Sequence, residues 1–119
     1  MINIDLPFPP SLNNLFVNVP GRGRVTSKRY ASWKRVAQTE ILAQRGGMAV
    51  SRMGGPIDMT ITLQRRGRRM DIDNAAKAVI DVLVSMAVID DDRNVERLTL
   101  QWGDVEGAQV EVIQFKQEG

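Results

Sequence analysis

Asp71 and Asp73 stand two residues apart in RRGRRMDIDNAAKAVIDVL (residues 65–83), with Arg65, Arg66, Arg68 and Arg69 ahead of them and Lys77 behind. In an extended backbone, residues two apart point to the same side, so both carboxylates can face one ligand. More acid follows in IDDDRNV, where Asp90, Asp91 and Asp92 are consecutive. Oxygen donors suit a hard cation such as Mg2+, which takes one or two carboxylates and completes its shell with water and phosphate. Asp71, Asp73 and a third aspartate from this run would supply such a site. The metal would activate water, Lys77 would neutralise charge developing on a phosphate, and the arginines would hold a nucleic-acid backbone. Spacing alone supports a plainer reading equally well. Asp73 can cap the helix that follows, and Asp73 with Lys77 is an ordinary i, i+4 pair worth about 0.3–0.5 kcal/mol.

What the chain lacks narrows the chemistry. It has no cysteine and no histidine, which removes disulfides, thiolate or imidazole metal sites, Ser-His-Asp triads and histidine bases. Carboxylate, Lys, Arg, Tyr and hydroxyl chemistry remains. At 119 residues and 43% hydrophobic content the chain fits one domain, 1–119, around one core. The net charge is +2 and the pI about 9.4, so affinity for a polyanion must come from how charge is arranged. The start, MINIDLPFPPSLNN, has no basic region or unbroken apolar run, and AVIDVLVSMAVI is interrupted by Asp81 and too short for a bilayer. A soluble cytoplasmic protein with no membrane contact is expected.

The elements that must position these residues read as α/β (α+β) in the order β-α-β-α-β-β: a small mixed sheet of about four strands with two helices packed on one face. INIDL alternates as a half-buried strand and ends at Pro7. SLNNLFVNVPGRGRVTS can hold a hairpin whose turn, Pro20 to Gly23, carries Arg22 and Arg24. Thr26 or Ser27 caps a helix KRYASWKRVAQTEILAQR with Tyr30, Trp33, Ala37 and Ile41 on one face and Lys28, Arg35 and Gln38 opposite. Gly46, Gly47, Gly54 and Gly55 mark a connection. PIDMTITLQ then alternates with Ile57, Met59, Ile61 and Leu63 inward. A second helix runs from about Asn74 on a stripe of Ala76, Val79, Ile80, Leu83, Val84 and Ala87, ending near VIDDDRN. Strands at Glu96 to Trp102, with Leu98, Leu100 and Trp102 on one face, and at VEVIQF flank the turn DVEGAQ.

Other motifs carry less. Asp90, Asp92 and Asn94 fit positions 1, 3 and 5 of a calcium loop, but Val95 stands where glycine is needed and Gln101 where glutamate is needed. GRGR opens no phosphate-binding loop and no dinucleotide fingerprint, so no nucleotide cofactor is expected. It reads as a turn whose Arg22 and Arg24, with Lys28, can touch phosphate. Tyr30 and Trp33 lie on the apolar face and belong to the core before any base-stacking role.

LPFPPSLNN, RRGRRMDIDNAAKAVIDVL and IDDDRNV, in this order and spacing, resemble the three signature blocks of the RusA-type Holliday junction resolvases. The blocks span almost the whole chain. The middle one is the specific one, with its arginine-rich lead, D-x-D-N, lysine, and helix with an internal aspartate. The resemblance implies a Mg2+-dependent endonuclease, with Mn2+ a conceivable substitute, acting as a homodimer that nicks two strands of a four-way DNA junction symmetrically. It assigns Asp71 and Asp73 to the paired metal-binding aspartates and Lys77 to the essential lysine. Asp92 takes the place of the third acidic residue, with Asp91 the alternative if the loop shifts by one. A binding module of the same fold without chemistry, and a hydrolase of small phosphate esters, are the competing expectations. The arginine density favours a polymer over the latter.

Overall fold

The computed structural model describes residues 1–45, 53–65 and 70–116. Among them are six strands, β1 (Ile2–Leu6), β2 (Phe16–Val19), β3 (Gly23–Thr26), β4 (Ile57–Gln64), β5 (Val95–Gly103) and β6 (Ala108–Gln114), and two helices, α1 (Lys28–Gln44) and α2 (Ala76–Ser85). Four strands form one mixed sheet in the order β1-β6-β4-β5, and β2 and β3 form a separate hairpin. β6 is antiparallel to both β1 and β4, whereas β4 and β5 run parallel. A parallel pair needs a crossover, and α2 supplies it.

The two-residue period of the strands decides which face is covered. In β4, Ile57, Met59, Ile61 and Leu63 are buried, and Asp58, Thr60, Thr62 and Gln64 alternate with them. Ile4, Leu6, Val110 and Val112 continue the apolar face into β1 and β6. Onto it pack Tyr30, Trp33, Ala37 and Ile41 of α1, and Ala78, Val79, Val82 and Leu83 of α2, in one core. Full burial of a side chain such as Leu83 is worth about 1.5–3 kcal/mol. The opposite face carries Asn3, Thr60, Thr62, Gln109 and Glu111 around an open polar depression. Helices on one face of a mixed α+β sheet are thus observed as the sequence implied.

Local chemistry fixes the helix ends. Ser27 caps α1: its Oγ accepts from the Tyr30 N–H at 3.0 Å and donates to the Asn14 carbonyl at 2.7 Å. The Trp33 indole donates to the Pro7 carbonyl at 3.0 Å, so this tryptophan belongs to the core and fixes the segment after β1. At the end of α2, Ala87 takes a left-handed φ of 56°. Its N–H donates to Val84 and that of Val88 to Leu83, which closes the last carbonyls and turns the chain toward Asp90. Gly107, φ +63°, is required between β5 and β6, since a Cβ there would collide with the Leu6 carbonyl oxygen.

Four expectations differ from what is observed. Arg24 lies within β3, paired with Asn18, while Arg22 is on the turn. Leu98 is 39% exposed, although Leu100 and Trp102 are half-buried, because β5 is an edge strand with a neighbour on one side alone. The second helix begins at Ala76, preceded by a 3-10 turn over Ile72–Ala75. Its buried face is Ala78, Val79, Val82 and Leu83, so that of the expected stripe Ala76, Ile80, Val84 and Ala87 are only half-buried. Gly46 and Gly47 lie outside the described residues.

Candidate functional site

The segment that leads into α2 is wound more tightly than an extended strand end. Asp71 occupies the cap position of the 3-10 turn, with φ −70° and ψ 143°, and its carbonyl accepts from the Asn74 N–H at 3.1 Å. Its carboxylate makes no capping bond. Asp73 falls in the first turn of that segment, and both aspartates are exposed. Acidic groups at the start of a helical turn are favoured by the backbone dipoles there. Asp73 is not the cap of α2, whose cap position is Ala75.

Lys77 does not pair with Asp73. Its Nζ donates to Asp81 Oδ1 at 3.2 Å, one turn onward. The 3-10 winding ahead of α2 takes Asp73 off the face on which a four-residue spacing would meet Lys77. Asp81 is held from the other side by the Tyr30 hydroxyl, which donates to its Oδ2 at 3.4 Å. Burial, with the Asp81 charge and this hydrogen bond added, pushes the Tyr30 phenol up to about 12. Asp81 was visible in sequence as the internal aspartate of the helix without being assigned to the site. Its signal was the i, i+4 spacing from Lys77, together with the need of a buried tyrosine hydroxyl for a partner.

The acidic run divides its labour. Asp91 caps the 3-10 turn Asp92–Asn94: it accepts the Arg93 N–H at 2.9 Å and the Arg93 guanidinium at 3.0 Å. The Arg93 backbone bond, then its side chain, hold the Asp91 carboxyl down at about 2. Asp92, in the first turn of that segment, is exposed.

The two acidic groups do not share an end of the fold. Asp71 and Asp73 follow the carboxyl end of β4, and Asp91 and Asp92 precede the amino end of β5. Since β4 and β5 are parallel, with Ile57 opposite Val95 and Leu63 opposite Trp102, these positions lie at opposite ends of the crossover. The ten residues of α2 between them span about 15 Å. Among the described residues, no three carboxylates come together in a group that could hold a metal ion. The expected convergence of Asp71, Asp73 and a third aspartate within one chain is not observed there.

The cations are dispersed around this region. The Arg65 guanidinium donates to the Trp102 carbonyl at 3.1 Å and its N–H to the Gly103 carbonyl at 3.1 Å, tying the end of β4 to that of β5. Arg66, Arg68 and Arg69 lie outside the described residues. Arg22 is exposed on the hairpin turn, Arg24 lies 4.3 Å over the Phe16 ring, and Lys28 is exposed in the first turn of α1.

Among the described residues, no helix is long and apolar enough to cross a membrane. The family model of endodeoxyribonuclease RusA matches residues 7–113. No curated protein matches the chain.

Proposed function

We propose, from the premise that this chain belongs to the endodeoxyribonuclease RusA family, that it is a Mg2+-dependent homodimer that cuts a four-way DNA junction with one active site per protomer. The family itself makes the chain a nuclease of Holliday junctions. The observation that carries the finer reading is a lysine held on its own carboxylate, Lys77 on Asp81, one turn after two exposed aspartates. Asp71 and Asp73 have no side-chain hydrogen bond or ion pair among the described residues.

That donor set fits a hard divalent cation. Asp71 and Asp73 offer oxygen ligands not spent on the fold, Asp92 is exposed, and Asp91 is occupied by Arg93. Asp71, Asp73 and Asp92 would therefore be the ligands, with Mn2+ able to replace Mg2+. Such an ion, when bound, polarises the phosphate and lowers the pKa of water. Lys77 would meet the charge that develops on the phosphate, and Asp81 would keep its ammonium in place. The arginines from 65 to 69, with Arg22, Arg24 and Lys28, would fix the backbone of the strand.

The separation of the acidic groups supports the homodimer. One protomer holds Asp71 and Asp73 at one end of α2 and Asp92 at the other, so a two-fold partner could set its own Asp92 beside the pair. A junction is itself approximately two-fold, and two matching sites give two matching cuts.

The test is cleavage of a labelled four-way junction and of a linear duplex of the same sequence, by wild type and Asp71→Asn, with and without Mg2+. Symmetric, metal-dependent nicks confined to the junction and lost in the variant are expected. Normal cutting by Asp71→Asn would remove the assigned site. Tight junction binding without cleavage in either metal would leave a binding module.

A further inference from the structure

We propose that the side of α1 turned toward α2 is a second phosphate-binding track, in which Lys34 and Arg35 hold the backbone of a DNA arm beside the stretch of α2 from Asp81 to Ser85. The proposal rests on the nuclease reading and adds to it a surface that the acidic blocks do not include.

The first support is an unbalanced helix. The first half of α1 carries Lys28, Arg29, Lys34 and Arg35, and its first acidic residue is Glu40. No acidic residue stands in the first turn. Lys28 and Arg29, in the first turn, oppose the helix dipole, so the fold gains nothing from their charge there. Lys77, Arg93 and Arg97 each have a carboxylate within 3.6 Å, whereas Arg22, Arg24 and Lys116 are scattered singly over other parts of the surface. Lys28, Arg29, Lys34 and Arg35 have none among the described residues.

The second support is position. Tyr30, Lys34 and Gln38 follow at four-residue intervals and form one ridge. Its two outer members touch α2: Tyr30 donates to Asp81, and Gln38 Nε2 donates to Ser85 Oγ at 3.4 Å. Lys34 stands between those contacts, where an apolar residue would close the seam between the helices. Its ammonium lies 5.8 Å from the Tyr30 ring centroid. Asp81, the nearby acid of α2, is already engaged by Lys77 and Tyr30.

The third support is shape. Thr26, Tyr30, Lys34, Arg35 and Gln38 line an open cleft of about 410 Å3. Tyr30 joins that cleft to the Lys77–Asp81 pair, so a backbone leaving the cut site could continue along it. A run of unneutralised cations beside a cut site fits a polyanion that extends past it.

The experiment measures affinity for a four-way junction between about 50 and 200 mM salt, with chelator present so that no strand is cut. Wild type is compared with Lys34→Ala/Arg35→Ala, the charge-conserving Lys34→Arg/Arg35→Lys, and Lys116→Ala as a surface-charge control. Each lost phosphate contact on B-form DNA flattens the salt slope by about 0.9, so the double alanine variant should flatten it by about 1.8. The charge-conserving variant and Lys116→Ala should keep the wild-type slope. An unchanged slope in the double alanine variant overturns the track while leaving the nuclease reading intact. An equal loss in the charge-conserving variant also overturns it, since packing would then be the cause. A wild type with no preference for junctions and a flat slope would sink the nuclease reading itself.

Discussion

Lys77 Nζ lies 3.2 Å from Asp81 Oδ1, with the lysine side chain 47% exposed and the aspartate 27%. The carboxylate is sheltered where the Tyr30 hydroxyl reaches it from α1, and the ammonium stays open to a ligand. Lys77 sits in the first turn of α2, where the helix dipole disfavours a cation. Asp81 offsets that cost and restricts a flexible side chain to one direction. The pair therefore presents an oriented cation, and the restraint is built from both helices.

Replacing Asp81 by Asn should lower the rate at saturating junction by roughly 10-fold, about 1.4 kcal/mol, with affinity little changed. Lys77→Ala should cost more, on the order of 100-fold. A double-mutant cycle checks the link, since Asp81→Asn should add almost nothing once Lys77 is gone. Full additivity of the two losses would show that Asp81 does not act through Lys77.

Tyr30 is the sole tyrosine, so its ionisation can be followed by phenolate absorbance. The folded protein should titrate near 12, and the denatured chain near the ordinary value of about 10. The unfolded state loses its proton first as pH rises. Its contribution to stability, on the order of 2 kcal/mol, is thus complete below pH 10 and lost as pH climbs through 12. Asp81→Asn should bring the folded midpoint down part of the way, because burial, the largest cause, remains. A folded midpoint near 10 in wild type would contradict the buried Tyr30–Asp81 contact.

Much of this architecture was legible because it rests on periodicity. The alternation of Ile57, Met59, Ile61 and Leu63 gave β4, and the spacing of Tyr30, Trp33, Ala37 and Ile41 gave the buried face of α1. The sequence placed Lys77 one turn into the second helix but did not show its partner. Asp73 and Asp81 lie equally far from it in sequence, and a 3-10 turn that no periodicity announces decides between them. The separation of the acidic groups was hidden for another reason. Sequence order cannot reveal that β4 and β5 are parallel neighbours, and that pairing puts Asp73 and Asp92 at opposite ends of α2. The hairpin arginines show a smaller limit of the same kind. Turn signals located the loop, but register decided that Arg24 belongs to β3.

Ala87 carries the one left-handed φ of a non-glycine residue among the described positions. It closes α2 through its bond to Val84 and the Val88 bond to Leu83, with Val88 and Leu83 both buried. An L-residue with a Cβ pays about 1–2 kcal/mol in that conformation. Ala87→Gly should therefore raise stability by up to about 1 kcal/mol, after the added chain entropy of glycine is deducted. Chemical denaturation measures it. A loss of stability would show that the Ala87 methyl contributes packing that outweighs the strain.

The last expectation concerns how the acidic groups meet. Asp71→Asn and Asp92→Asn should each abolish cleavage, and both should fold normally because these carboxylates are exposed. The two variants are then mixed under exchange, with heterodimers verified through two different tags. If Asp92 serves the partner's Asp71 and Asp73, each heterodimer has one site with both defects and one site with neither. About half of a random mixture is heterodimer, so nicking should return to about one quarter of wild type, while paired cuts stay absent. If the three aspartates act within one chain, every site in every dimer carries a defect and the mixture remains inactive. Recovery of single nicks would thus place the metal ligands across the two-fold axis, and continued silence would require the ends of α2 to approach each other within one protomer.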